Sequence, residues 1–214
     1  MSNEPREPEF GAAFQAEFAE LLVWRRDVRH FKSDPIPASD VAELVALTAY
    51  APSVGHCQPT RFVSVESSER REAVAANFEA ANAEALAAYD GERASAYARL
   101  KLAGLREAPT HLAVFCDEAT ELGQGLGART MPETRRYSAV CALHTFWLAA
   151  RARGLGVGWV SILDPAALAK SLDLPTNWSF IGYLCVGWPQ TASAVPELER
   201  VGWQRRVSPT LLTR

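Results

Sequence analysis

The chain has 214 residues, 48% of them hydrophobic, and its 22 Lys and Arg against 25 Asp and Glu leave a formal net charge of -3. That length suits one domain burying roughly 70% of its unfolded surface, so no cofactor is needed merely to hold it together. The balance of charge and the lack of a long basic stripe exclude bulk binding to nucleic acid or an anionic membrane surface, and apolar runs such as Ile181 to Gly187 are far too short to span a bilayer.

Residues 1–12 are polar, charged and proline-containing and are expected to be flexible, with a single domain over 13–214. Phe14, Phe18, Leu21 and Leu22 recur at helical spacing and predict a helix from Phe14 to Trp24. Arg25 and Arg26 fall in its last turn, where cations complement the helix dipole. After a turn at Pro35 and Pro37, Ser39 or Asp40 caps a helix with Val41, Leu44, Val45 and Thr48 on one face, ending before Pro52. Phe62 to Val65 reads as a strand.

From about Glu69 to Glu107 the chain is rich in alanine and charge, and Asp90-Gly91 divides it into two helices. Its apolar face is thin: Phe78, Leu86, Tyr89, Tyr97, Leu100 and Leu102. So few large apolar groups describe either a lid (69–107) that can open over a site or a peripheral helical hairpin. His111 to Cys116 is a second strand, and a glycine-rich loop through Gly127 leads to Pro132 at the start of a long helix that stops at Gly154. Tyr137, Val140, Cys141, His144, Trp147 and Leu148 wrap widely around that helix, which predicts a central position for it and a satisfied core role for His144. Gly156 to Ile162 is a third strand, Asp164 and Pro165 open a short helix, and Phe180 to Val186 is a fourth strand. From Trp188 onward, prolines without helical period predict an arm (188–214) lying across a surface. Two helices precede the first strand, so an α+β layered domain fits better than a doubly wound parallel sheet.

Cys57, Cys116, Cys141 and Cys185 form no CxxC pair and the N-terminus has no apolar leader, so a reduced, cytoplasmic protein is expected. His30, His56, His111 and His144 lack metal-ligand spacing, and no metal is expected. Gly123-Gln124-Gly125-Leu126-Gly127-Ala128 matches a relaxed dinucleotide fingerprint, but Arg129 to Pro132 intervene before the helix, which favours a flexible loop. Ala51 to Pro59 gathers a hydroxyl, a glycine and an amide into one loop that can present donors to the edge of a heterocycle.

The most informative segment is Arg25-Arg26-Asp27-Val28-Arg29. Three guanidiniums suit a phosphate, because each planar fork can bind its oxygens bidentately. A phosphate site has no use for a carboxylate of its own. Either Asp27 neutralises the cluster, or it points elsewhere and acts on whatever the phosphate anchors.

Taken together, this segment, Ala51-Pro52-Ser53 ahead of Gln58-Pro59, and Gly154-Leu155-Gly156-Val157-Gly158-Trp159 resemble the FMN-binding nitroreductase family from about Trp24 to Trp188. In that family the first motif usually carries serine where Asp27 stands. This departure, with Leu100-Lys101-Leu102, Thr130 to Thr134 before Tyr137-Ser138, and Gly158 to Pro165, resembles the branch that fragments reduced flavin to form dimethylbenzimidazole. The resemblance implies a nitroreductase-like α+β fold with a central, mostly antiparallel sheet flanked by helices. It also implies a homodimer with flavin sites between subunits, the arm embracing the neighbour. Reduced FMN would be the substrate, supplied by a separate flavin reductase, and would react with O2 to give dimethylbenzimidazole, the lower ligand of cobalamin, and erythrose 4-phosphate. By family position Asp27 and Ser161 carry the chemistry, and Arg25, Arg26, Val28, Arg29 and Ser53 bind flavin. Leu100 lies in the cover, and Arg205 and Arg206 add phosphate contacts. Neighbouring guanidiniums would keep Asp27 ionised so that it can take or relay a proton, and Ser161 at a strand end could hydrogen-bond a flavin heteroatom. The competing readings are an NAD(P)H-dependent FMN oxidoreductase or nitroreductase, and a non-catalytic FMN carrier.

Overall fold

Among the described residues, four strands form the centre of the fold: β1 (Thr60–Ser64), β2 (Thr110–Asp117), β3 (Gly156–Val160) and β4 (Trp178–Gly187), in the order β1-β2-β4-β3 with every neighbouring pair antiparallel. This computed structural model describes residues 7–100 and 102–214, so residues 1–6 of the expected flexible terminus and Lys101 of the Leu100–Leu102 stretch lie outside it. Around the sheet lie α1 (Ala12–Trp24), α2 (Ala38–Leu47), α3 (Ser68–Ala87), α4 (Gly91–Ala98), α5 (Thr134–Ala152), α6 (Pro165–Ser171) and the single turn α7 (Glu197–Arg200).

Alternate side chains of the central strands point to opposite faces, and both faces are covered. On one, Leu112, Val114, Val157, Leu184 and Val186 pack with Leu44 of α2 and Leu143, Phe146 and Trp147 of α5. On the other, Ala113, Phe115, Val160, Tyr183 and Cys185 pack with Val74 of α3 and Leu168 of α6. The result is the α+β sheet flanked by helices that the order of elements predicts.

Several local expectations are corrected. Arg25 caps α1 with an extended backbone (ψ 107), so Arg25 and Arg26 lie beyond the helix rather than in its last turn. The chain leaves the helix there to lie beside β3. Neither Ser39 nor Asp40 caps α2; Pro37 stands at that position and its carbonyl accepts from Asp40 N (3.0 Å) and Val41 N (3.3 Å). The helix expected from Pro132 begins at Thr134, after Thr134 N has bonded Met131 O at 3.0 Å. His144 is exposed, not a core histidine: Leu143, Phe146, Trp147 and Ala150 face the sheet, and the helical period turns Tyr137, Val140 and His144 outward. The first helix buries none of its residues; Phe10, Phe14 and Phe18 stack on one another in the open, with centroids 4.7 and 6.2 Å apart.

The 69–107 segment is not uniformly loose. Val74 and Ala75 of α3 are buried, Arg71 donates to Val65 O and Pro109 O, and Asn77 exchanges two hydrogen bonds with the Asp164 backbone (3.0 and 2.7 Å). Lightness is confined to the distal part, where the main buried anchor is Tyr97, packed with Tyr89 and Trp203. The arm starts along His30–Lys32, with Lys32 N donating to Trp188 O at 2.8 Å and Gln190 N to His30 O at 3.0 Å. It then makes one helical turn, which the prolines concealed, and brings Trp203 to α4.

Candidate active site

After α1 the Arg25–Arg29 segment runs along the outer edge of β3. Val28 N donates to Val157 O at 3.1 Å, and Asp27 makes a parallel bridge with Val157. Two glycines make this approach possible. A Cβ on Gly156 would meet the Val28 side chain at 2.8 Å, and one on Gly158 would be driven into the Val28 carbonyl oxygen, well inside ordinary contact. The Gly-Val-Gly of β3 is therefore the seat of the arginine motif.

Asp27 has both oxygens engaged. Oδ1 accepts from Trp159 N at 2.8 Å and Oδ2 from Arg29 Nε at 2.8 Å; the Asp27 side chain is 32% exposed and that of Arg29 11%. Burial raises the Asp27 carboxyl above its usual range, Glu197 adds to the effect, and the Arg29 charge with the two hydrogen bonds opposes it. The expectation that guanidiniums dominate is thus reversed: the loss of hydration outweighs one paired arginine. A carboxyl shifted in this direction is better suited to exchanging a proton near neutrality.

The Arg25 guanidinium lies over the Trp147 ring of α5, 4.7 Å from its centroid. Arg26 donates from Nε to Ala194 O of the arm (2.8 Å) and from Nη1 to Arg25 O (2.7 Å). Arg206 returns from the arm close enough for its charge to act on both. Burial, opposed at Arg25 by Asp27, and then the charge of Arg206 lower the Arg25 and Arg26 values, though both remain cations. Three guanidiniums that repel one another and lose hydration form a cradle that an oxyanion would relieve, so the residues present fit the phosphate end of FMN.

Other candidates stand apart from this cluster. Ser161 is exposed, immediately beyond the end of β3 and two residues after Trp159. The Ser53 hydroxyl accepts from Gln58 N at 2.8 Å and borders a separate cavity of about 240 Å³ with Ser138 and Ala142 of α5. Val54 N bonds Ser138 Oγ (3.0 Å), so the Ser53 loop and the Arg25 stack attach to α5 nine residues apart, about 13 Å along its axis. Leu100 faces a groove of about 540 Å³ with Arg93 of α4 and Trp203 of the arm. Arg205 is exposed and its carbonyl accepts from Gln204.

The glycine-rich loop does not open a phosphate-binding helix. Gly123 and Gly55 meet backbone to backbone, each at positive φ, so that loop packs on the Ser53 loop rather than swinging freely. His56 (φ 58) and Gln58 (φ 43) hold left-handed backbone there, which costs about 1–3 kcal/mol each and is typical of positions that the surroundings over-determine.

A cavity of about 50 Å³ lies under the motif, with Asp27, Arg29, His30 and Glu197 in its walls. Small-molecule pockets are about 300–1,000 Å³, so this space alone is too small to hold a nucleotide. Sequence reasoning missed Trp147 as the platform of Arg25, the Trp159 amide and Glu197. The G-V-G-W stretch hinted at the second; nothing in the sequence pointed to the third.

The chain matches the model of the nitroreductase family over residues 22–188. It is 58% identical over 199 residues to a 5,6-dimethylbenzimidazole synthase of Rhodospirillum rubrum, covering 93% of this chain and 94% of that one. It is 48% identical over 188 residues to a protein of the same name from Rhodobacter capsulatus, covering 88% and 91%. Among solved structures, an iodotyrosine deiodinase bound to FMN and 3-iodo-L-tyrosine superposes with a TM-score of 0.71 at 22% identity, covering 92% of this chain and 97% of that one. A nitroreductase-like protein from Exiguobacterium sibiricum in complex with FMN gives 0.64 at 16% identity, covering 90% and 93%. At such identities these two structures speak to fold alone.

Proposed function

Because the chain belongs to the nitroreductase family, we propose that it is a 5,6-dimethylbenzimidazole synthase that fragments reduced FMN with O2, releasing dimethylbenzimidazole and erythrose 4-phosphate. The observation that carries this reading is the Asp27 carboxylate, fixed by the Trp159 amide and Arg29 within the arginine cluster. An FMN carrier or an ordinary flavin oxidoreductase needs the arginines and has no task for Asp27. Identity of 58% with a relative of that name supports the same choice.

Reduced FMN supplies the dimethylated ring and the ribityl C1′ carbon, and O2 supplies the oxidising power. Arg25, Arg26 and Arg206 hold the phosphate, with Trp147 keeping Arg25 in place. Val28, seated on Gly156 and Gly158, fixes the height of the motif over β3. Asp27 takes a proton from the sugar carbon as the ring's side chain is cleaved. Ser161 donates its hydroxyl to a ring heteroatom, and Ser53 contributes from its loop. Leu100 and the distal part of the 69–107 lid, with Thr130–Thr134, exclude water.

The protein acts as a cytoplasmic homodimer of one domain (13–214), with the arm against the neighbour, and receives its flavin from a separate reductase. The open apolar faces of α1 and α5, including Phe14, Phe18, Leu22, Tyr137 and Val140, support pairing. The fold is consistent with FMN binding, since two structures of the same fold are bound to FMN. The test is to give the protein reduced FMN under air and identify products by mass. Dimethylbenzimidazole is expected. Intact FMN together with rapid NADH oxidation by a nitro acceptor would establish the ordinary oxidoreductase instead, and simple reoxidation without either would establish the carrier.

A further inference from the structure

Asp27, 32% exposed in the free protein, needs a separate way to lose a proton once a flavin lies over it. Its two direct partners, the Trp159 N–H and the Arg29 guanidinium, are donors without acceptor capacity. Around the small cavity beneath it, Arg26, Arg29, Arg151 and Arg200 are permanent cations that accept nothing, and Arg25 on the same segment is another. On β4 the Cys185 thiol is pushed up to about 12 by burial, with Asp27 among the further causes, and does not ionise. Among the described residues, two titratable acceptors remain in the cavity wall, Glu197 and His30. The Glu197 Oε1 and His30 Nε2 atoms stand 4.0 Å apart, with side chains 23% and 48% exposed, so the pair leads from the cavity to the surface.

We propose that Glu197 and His30 return the Asp27 proton to solvent, through water in the 50 Å³ cavity that joins them. A water needs about 10–15 Å³ of such space and two to four polar partners, and this cavity supplies both for a short chain. The proton leaves the Asp27 carboxyl, Asp27 regains its carboxylate, Glu197 accepts the proton, and His30 takes it on and passes it to bulk water; no oxidant or further group is required. Glu197 also bears on Asp27 directly, since its negative charge is among the causes that raise the Asp27 carboxyl. Glu197 is a positioning and relay residue, and its role rests on the reading that Asp27 takes a proton from reduced FMN.

The test is Glu197→Gln in the full-length protein. In the absence of flavin, a ¹³C-carboxyl titration of Asp27 moves to lower pH, because a neighbouring negative charge is gone. With reduced FMN under air, dimethylbenzimidazole formation at low buffer concentration falls by about tenfold or more. Added imidazole restores it in Glu197→Gln and leaves Asp27→Ser inactive. Glu197→Asp keeps most of the rate, and His30→Gln shows the same buffer rescue. An unchanged rate in Glu197→Gln, a loss that imidazole does not restore, or an unmoved Asp27 titration overturns the relay. Absence of dimethylbenzimidazole from the native protein overturns the proposed function instead, so the two failures are told apart.

Discussion

The glycines of β3 offer a sharp test of how the arginine motif is held. In Gly156→Ala the new methyl meets side-chain atoms of Val28 at 2.8–3.0 Å, and in Gly158→Ala it meets the Val28 carbonyl oxygen, far closer than the 3.4 Å at which ordinary contact begins. Overpacking of this kind costs about 1–3 kcal/mol. Gly156→Ala belongs at the low end, since a rotating side chain can give by a few tenths of an ångström. Gly158→Ala belongs at the high end and must also displace the Val28 N to Val157 O bond (3.1 Å) and the charged Asp27 bond to Trp159 N (2.8 Å). At about 0.5–1.5 kcal/mol for the first and 1.5–3 for the second, a total of about 5–7.5 kcal/mol follows, which a fold worth about 5–15 survives only in the upper part of that range. Denaturant unfolding gives the stability, and quenching of flavin fluorescence gives FMN affinity. The decisive arm is rescue: Val28→Ala removes the γ-methyl groups and restores Gly156→Ala, whereas it leaves Gly158→Ala impaired because a carbonyl cannot be trimmed. Equal rescue of both, or no effect of Gly158→Ala, would refute the seating of the motif on β3.

Asp27→Ser should keep FMN affinity within a few-fold while abolishing product formation; loss of both together, read by titration and by product mass, would mean that Asp27 serves only binding. Arg29→Ala removes the partner of Asp27, so the Asp27 carboxyl rises further, which a ¹³C titration reads directly. His111, 2% exposed between Tyr183 Oη (2.9 Å) and Ala108 O (3.1 Å), is held down to about 4 by burial. The folded protein therefore binds its proton less readily than the unfolded chain, and stability is lost as pH falls from 6.5 towards 4, by about 3 kcal/mol at 1.36 kcal/mol per unit. Unfolding of His111→Gln should show a flatter profile across that window. Asp27 runs the other way: its raised value makes the ionised form unfavourable, so the native protein gains stability relative to Asp27→Asn as pH falls through the folded value towards 3.8.

The elements that announce themselves by period or punctuation were legible: the long α5 stopping at Gly154 (φ 79), the Asp164 cap accepting from Ala166 N and Ala167 N, and the Asp90 break between α3 and α4. The start of β1 was not, because Thr60 and Arg61 carry no apolar signal and are drawn into the ladder by pairing with Cys116 and Phe115, Arg61 also reaching Asp117 at 2.9 Å. The exposure of His144 escaped for a related reason: a helix apolar all round looks buried on every side, and period alone cannot say which side the protomer covers. Of the candidate site, the arginine motif stood out by charge, but its meaning lies in contacts such as Asp27 to Trp159, 132 residues apart, which no local pattern contains. Glu197 lies beyond reach for the same reason, one carboxylate among many until the arm folds back.

β3 has β4 on one side, and on the other the stretch that begins with Asp27 and Val28. A bare strand margin is a template for joining another chain, and proteins commonly shield it. The same few residues proposed to grip the substrate therefore double as a guard against edge-to-edge strand pairing. Variants that loosen the motif should clump on storage even where they still fold, and a phosphate-bearing compound that draws the arginines down should slow that loss.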